Sequence, residues 1–487
     1  MAANTTPVLV GIAQLEQRIQ GDPREGREPL ALMVDAVREA ARDAGDPKLA
    51  SRATSVRVIR GVWPYKNPAR VVRDEIGAAA ETVSTPYGGN FVQTVLNQTA
   101  LDIQAGRHEI VVMTGAECGY SQARARKLSV DLAWQAAPGA PDRIIGVDKD
   151  MRHPAEKKAG LGMPIQIYPM FEIALRYARR ESPSAHLQRI SELWSRFSAI
   201  AAENPHAWIR ERHTAEQIRT LSADNRPVSY PYPKLMNSNN NVDQGAALIL
   251  CSVDAARRCK IPEEKWIYPW AGTDAHDHYY VSNRDNLHSS PAIRIAGRRC
   301  LELAGVEASA LDYIDVYSCF PVAVQVAAQE IGINETRPLT VTGGLTFGGG
   351  PLNDYVMHSI ARMAELLREK PKARGLITAN GGYLTKHAFG VYSATPPPRP
   401  FRHEDVQAQV DATPQRDAVE SYAGAATVEA YTVMYGPEGP NVAHVAVLTP
   451  SGARAWARCE VRDVLEAMTK EEFCGRHGRV ADGVITL

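Results

Sequence analysis

The stretches Tyr87-Gly88-Gly89-Asn90 and Gly343-Gly344-Leu345-Thr346-Phe347-Gly348-Gly349-Gly350-Pro351 decide how this chain is read, because each glycine run leads into a helix-like segment. Glycine at such places permits tight turns and close backbone approach. Working outward, Ala31 to Gly45 (ALMVDAVREAARDAG) and Pro291 to Gly305 (PAIRIAGRRCLELAG) read as amphipathic helices, each closed by Ala-Gly as a helix terminus prefers. They look like copies of one element about 260 residues apart. The same offset pairs Gly89-Asn90-Phe91-Val92 with the stretch near Asp354-Tyr355-Val356. It also pairs the apolar strand Ile110-Val111-Val112-Met113-Thr114-Gly115 with Leu376-Ile377-Thr378-Ala379-Asn380-Gly381. Each half therefore reads strand, helix, glycine loop, buried helix, strand. That is the pattern of an internally duplicated α/β fold, with parallel sheets covered by helices.

Composition narrows the function classes. The chain has 487 residues, with 55 Lys and Arg against 55 Asp and Glu. A soluble multi-domain protein is expected, without the electrostatic footprint of a nucleic-acid or anionic-membrane binder. No apolar run is long enough to span a bilayer, and no signal core follows the first residues. The seven cysteines, at 118, 251, 259, 300, 319, 459 and 474, contain no CxxC. They point to a reducing cytoplasm and away from a disulfide framework or any metal site. No GxGxxG follows a strand and no Gly-Lys-Ser/Thr follows the glycines, so nucleotide-binding folds are disfavoured.

Thr395-Pro396-Pro397-Pro398-Arg399-Pro400 holds neither helix nor sheet hydrogen bonds by composition and reads as a semi-rigid linker. Beyond it, Thr427 to Tyr435 alternates polar and apolar residues, a Gly436-Pro437-Glu438-Gly439-Pro440 turn follows, and Val442 to Leu448 returns as a second strand. A third strand near Ala453 to Val461 completes a small β-barrel. The aromatic-plus-basic stripe of a single-strand nucleic-acid binder is missing from it.

With Val111 to Glu117, Asn237-Ser238-Asn239-Asn240-Asn241-Val242-Asp243-Gln244-Gly245-Ala246-Ala247, Val316-Tyr317-Ser318-Cys319-Phe320, Gly349 to Leu352 and Asn380-Gly381-Gly382 in this order, the chain resembles the thiolase superfamily. It is most similar to the sterol-carrier-type thiolases and thiolase-like proteins, often named acetyl-CoA acetyltransferases, over approximately residues 6 to 394. The resemblance implies a duplicated thiolase fold of two βαβαβαββ halves in five layers, α-β-α-β-α. It places an N-terminal half at 1–117 and 235–264, a helical and loop insert at 118–234 and a C-terminal half at 265–394. A linker at 395–423 and an oligonucleotide-binding-like barrel at 424–487 complete the chain.

Thiolases use a cysteine at the start of a buried helix, where free amides and the helix dipole favour thiolate. By resemblance that position is Gly89, and no cysteine lies anywhere in residues 1–117. The second cysteine corresponds to Ala379, the histidine of the Gly-His-Pro motif to Gly350, and the residue holding the thioester oxygen to Tyr317. Loss of a nucleophile commonly costs on the order of a millionfold in rate. Ordinary thiolase turnover is therefore not expected, whereas amides at Gly88, Gly89 and Asn90 still offer donors to a thioester oxygen.

The remaining candidates are Tyr317 as acid or base and His387, in Thr385-Lys386-His387-Ala388, as base. Gly88, Gly89, Asn240, Gly349 and Gly350 are candidate ligand contacts. Arg124, Arg126 and Lys127, and Arg152, Lys157 and Lys158, are basic clusters able to meet a phosphate, and equally able to be solvated helix faces. Cys319 and Cys118 read as packing residues. The resemblance implies CoA or acyl-CoA as ligand, no tightly bound cofactor, a role in lipid metabolism, and a homodimer unless the added domain leaves a monomer. Three functions compete: an acyl-CoA binder without thiolase activity, a carbon–carbon lyase of retro-aldol type using Tyr317, and a non-catalytic assembly subunit. Against the lyase, the partner tyrosine such enzymes carry near the position of Gly350 is absent here; Tyr355 lies five residues on.

Overall fold

The computed structural model describes residues 4–487. Helix Pro29–Asp43 begins with proline at its first position and buries Leu30, Met33, Val34, Val37, Ala40 and Ala41, a spacing of three and four that makes one apolar face. Its counterpart Pro291–Ala304 is capped by the Ser290 hydroxyl, which accepts from the Ile293 amide, and is stopped by Gly305 at φ +67°. Each fully buried Val or Leu on such a face contributes about 1.5–3 kcal/mol.

These helices cover two equivalent sheets. The first runs, in spatial order, Pro7–Glu16, Asp243–Ser252, Ile110–Cys118, Ser55–Val58, Glu81–Ser84 and Arg143–Ile144. The second runs Tyr313–Asp315, Arg374–Gly381, Lys386–Ser393, Tyr268–His276 and Arg402–Asp405. Four strands of each match in order and sense: Ser55–Val58 and Ile110–Cys118 are parallel, and Asp243–Ser252 and Pro7–Glu16 then join antiparallel. Tyr313–Asp315, Arg374–Gly381, Lys386–Ser393 and Tyr268–His276 repeat that sequence of senses. The expectation of parallel sheets is thus corrected to mixed sheets. In each half the last strand returns beside the strand after the buried helix, and an antiparallel neighbour needs no helical crossover.

Between the sheets lie Phe91–Gln104 and Tyr355–Glu369, which touch strands of both. Helix, sheet, helix pair, sheet and helix make the five layers of the duplicated fold. Phe91–Gln104 is buried nearly all round, including Gln93, Asn97 and Asp102, as its central position demands.

The C-terminal strands close on themselves. Gly424–Gly436 pairs with Gly439–Leu448, then Arg454–Cys459, Val484–Thr486 and His477–Ala481 follow, and the last pairs back with Gly424–Gly436. Part of the segment read as linker is built into the fold, since Arg402–Asp405 forms the edge strand of the second sheet, parallel to Tyr268–His276. The barrel is fastened by Arg454, which is fully buried. Its guanidinium grips Glu429 through two 2.6 Å bonds and donates to the carbonyls of Val281, Ser282 and Arg284. Among the described residues no helix is long and apolar enough to cross a membrane.

Candidate functional site

A cavity of about 360 Å³ opens where the N-terminus of Phe91–Gln104 meets the end of strand Arg374–Gly381. Its inner wall is Gly88, Gly89, Tyr317 and Asn380; its outer wall comes from the insert, through Met163, Pro164 and Ile165. The Gly89 and Asn90 amides donate no hydrogen bond within the described chain. They stand at the start of the buried helix, the end at which the helix dipole favours negative charge, and Gly89 lines the cavity.

Gly89 is hemmed in. A Cβ there would stand 2.5 Å from the Asn380 carbonyl oxygen and 2.6 Å from the Tyr317 hydroxyl. The phenol therefore occupies the space that a nucleophile's side chain would need. Tyr317 is held by its amide, which donates to Thr378 Oγ1 at 3.0 Å, and by an edge-on contact with the Tyr355 ring. Burial pushes its phenol well above the ordinary value, with Cys319 and Tyr87 adding to the effect, so the hydroxyl is a proton donor at neutral pH. Tyr355 does not reach the cavity. Its hydroxyl is taken by Thr342 at 2.7 Å and Asp315 at 3.2 Å, which removes it as a substitute second tyrosine.

Of the sequence candidates, Gly88, Gly89, Asn240 and Tyr317 line one cavity. Gly349 and Gly350 do not. Gly349, at φ +109°, leaves no room for a Cβ beside Gln244, and a Cβ on Gly350 would stand 3.1 Å from Asn240 Oδ1, so these glycines permit close packing behind the cavity wall. Ala379 is buried in the strand beneath. His387 does not touch the cavity either: it is 2 % exposed, with Nε2 3.5 Å from Asp277. Cys319 borders the cavity yet is buried, and burial pushes its thiol up to about 12, so it carries no thiolate at neutral pH, as an inert buried thiol should. Arg124 spends its guanidinium on the Gln20 and Gly21 carbonyls, and Lys157 pairs with Asp150.

Three buried polar groups outside the cavity lining escaped the sequence reading, of which Lys386 reaches the cavity wall at Tyr87 and Gly88. Lys386 donates to the Tyr87 carbonyl at 3.0 Å, and its Nζ would be 2.7 Å from a Cβ on Gly88. Burial draws its ammonium down to about 8. Strand alternation alone sets Lys386 and His387 on opposite faces, a signal that was available. Glu117 accepts from the Val62 amide at 2.8 Å, and burial lifts its carboxyl to about 7. Asp354, whose two oxygens accept no hydrogen bond among the described residues although His358 Nε2 stands 3.6 Å away, lies against Gly115; burial and the nearby Glu117 drive its carboxyl well above the ordinary range.

Comparison with known proteins agrees with this fold. Residues 405–483 match the family model of the thiolase-like protein type 1 additional C-terminal domain. A monomeric SCP2-thiolase-like protein type 1 from Mycobacterium smegmatis superposes with a TM-score of 0.84 at 28% identity, over 100% of this chain and 99% of that one. The Ltp2-ChsH2(DUF35) aldolase shares the fold at 19% identity and a TM-score of 0.60, over 80% of this chain and 99% of that one. An acetyl-CoA acetyltransferase of Methanocaldococcus jannaschii is 26% identical over 132 residues, 27% of this chain. The match spans 32% of that curated relative's length.

Proposed function

We propose that this chain, a type 1 thiolase-like protein with the additional C-terminal domain, binds CoA or acyl-CoA esters at Gly88 and Gly89 and lacks classical thiolase turnover. The observation that carries the reading is the Tyr317 hydroxyl, 2.6 Å from where a Gly89 Cβ would sit. A thioester oxygen at the helix N-terminus meets the Gly89 and Asn90 amides and a phenol, with no thiolate to attack its carbon. Such a site stabilises an enolate and gives it a proton; it does not form an acyl-enzyme. The small-residue floor and apolar outer wall suit a pantetheine arm and acyl chain, with Asn240 on the pantetheine side. Such a ligand supports a role in lipid metabolism, and the closed order of its strands supports reading the C-terminal unit as an oligonucleotide-binding-like barrel.

A carbon–carbon lyase of retro-aldol type is the second reading. It is favoured by Tyr317, whose hydroxyl makes no hydrogen bond within the described chain, and by the shared fold of the aldolase. Calorimetric titration with CoA, acetyl-CoA and longer acyl-CoAs, with turnover assayed in the same samples, decides between the readings. Heat of binding without thiolysis is expected. Cleavage of a hydroxyacyl-CoA that Tyr317→Phe abolishes establishes the lyase. No heat with any ester refutes both readings and leaves an assembly subunit, its oligomeric state then read by light scattering.

A further inference from the structure

Lys386 opens strand Lys386–Ser393 of the second half, yet its ammonium serves a loop of the first. Nζ donates to the Tyr87 carbonyl at 3.0 Å and lies 4.9 Å from the centre of the Phe91 ring, at the first residue of the buried helix. A Cβ on Gly88 would stand 2.7 Å from this nitrogen and 2.7 Å from Asn90 Oδ1, a buried acceptor with no donor among the described residues. The Tyr87–Gly88 peptide is trans, so its carbonyl and its N–H point in opposite directions. With the carbonyl turned to Lys386, the Gly88 N–H faces away from it and donates to nothing within the described chain. Tyr87 and Gly88 line the front cavity, whereas Lys386 does not. The lysine thus backs the glycine loop instead of facing ligand.

We infer that Lys386 is a positioning residue of the front cavity, one that holds the Tyr87–Gly88 peptide with its N–H directed at a bound thioester oxygen. The inference rests on the reading of that cavity as an acyl-CoA site. A cation on the carbonyl polarises the peptide and makes its N–H a stronger donor, so the charge acts on ligand through the backbone. That charge is conditional, because burial draws the ammonium down to about 8, with Asp148 opposing the shift. Below that value the ammonium is present, and as pH climbs through it the charge is lost. Across the sheet, His276 stands opposite Lys386 and donates from Nδ1 to the Asp277 carbonyl at 2.8 Å. On the same strand Asp274 is bound by Asn97 at 2.9 Å and His403 at 2.7 Å, and the other neighbouring strand places uncharged Gly381 opposite Lys386. The Tyr87 phenol and the Cys319 thiol, both raised to about 12, and the Tyr317 phenol, higher still, keep their protons while Lys386 titrates.

Calorimetric titration of the full chain with butyryl-CoA between pH 7.5 and pH 9.5 provides the test. The ester has no thiol, and its phosphates are ionised throughout that range. Parent affinity should fall about 10-fold across it, and Lys386→Met should bind about 10-fold more weakly than the parent at pH 7.5, with a level profile. Lys386→Arg keeps its charge at every pH used and should also give a level profile. A lysine that only packs would weaken Lys386→Met without giving the parent a pH dependence that Lys386→Arg lacks. A level parent profile, a fall in Lys386→Arg equal to the parent's, or Lys386→Met binding as tightly as the parent overturns the role of Lys386 and leaves the acyl-CoA reading standing. No heat from the parent at any pH refutes that reading, and this role with it.

Discussion

Replacing Gly89 by alanine puts a methyl carbon 2.5 Å from the Asn380 carbonyl oxygen, 2.6 Å from the Tyr317 hydroxyl and 3.1 Å from its ring carbon. Each of the first two is about 1 Å short of an ordinary van der Waals separation. The carbonyl belongs to strand Arg374–Gly381 and is tied into its sheet, so relief has to come from the helix start or from Tyr317. Overpacking of this kind costs about 1–3 kcal/mol. An unfolding entropy of roughly 2.1 cal/mol/K per residue turns that into a melting temperature lower by about 1–3 °C for a chain of this size. Tyr317→Phe removes the hydroxyl contact and leaves the carbonyl contact. The two substitutions together should therefore cost less than the sum of each alone, by about 0.5–1 kcal/mol. Differential scanning calorimetry of the parent, both single variants and the double variant measures this. Gly89→Ala melting with the parent, or strict additivity, refutes the claim that the phenol fills the side-chain volume at this position.

Other consequences follow from buried charge. Glu117 has its carboxyl raised to about 7, chiefly by burial. A carboxyl raised in the fold holds its proton more tightly there than in the unfolded chain. Its contribution is complete below the unfolded value near 4.5 and is lost as pH climbs through 7. Glu117→Gln should therefore gain on the parent by up to about 3 kcal/mol between pH 5 and pH 8, and a stability difference flat across that range contradicts the assignment. Arg454→Met strips Glu429 and three carbonyls of their buried partner. A loss of about 3–5 kcal/mol and faster proteolysis between residues 395 and 423 are expected, and an unaltered digest would show that the barrel is held by other contacts.

The duplication was legible because helices and strands announce themselves by period, and the offset of about 260 residues recurs in the structure. Helices begin at Pro29 and Pro291, buried helices at Phe91 and Tyr355, and strands at Ile110 and Arg374. The barrel was legible for the same reason, through alternation from Thr427 onward and the turn at Gly436. The sense of each sheet's returning strand was not, since an apolar strand buried on both faces reads the same in either direction.

The site divides along the same line. The order of residues alone determined that no thiol exists before Cys118 and that glycine stands where a helix start would carry one; absence of a side chain is a property of sequence and survives any folding. Tertiary structure decided what occupies the vacated space. Tyr317 is more than two hundred residues from Gly89, and only the packing of the second sheet against the buried helix brings the phenol to it. Packing likewise turned His387 away from the ligand cavity and toward Asp277, and brought Lys386 to the cavity wall at Tyr87 and Gly88. Contacts across such separations depend on the summed geometry of every intervening element, whereas periodicity reports only on near neighbours.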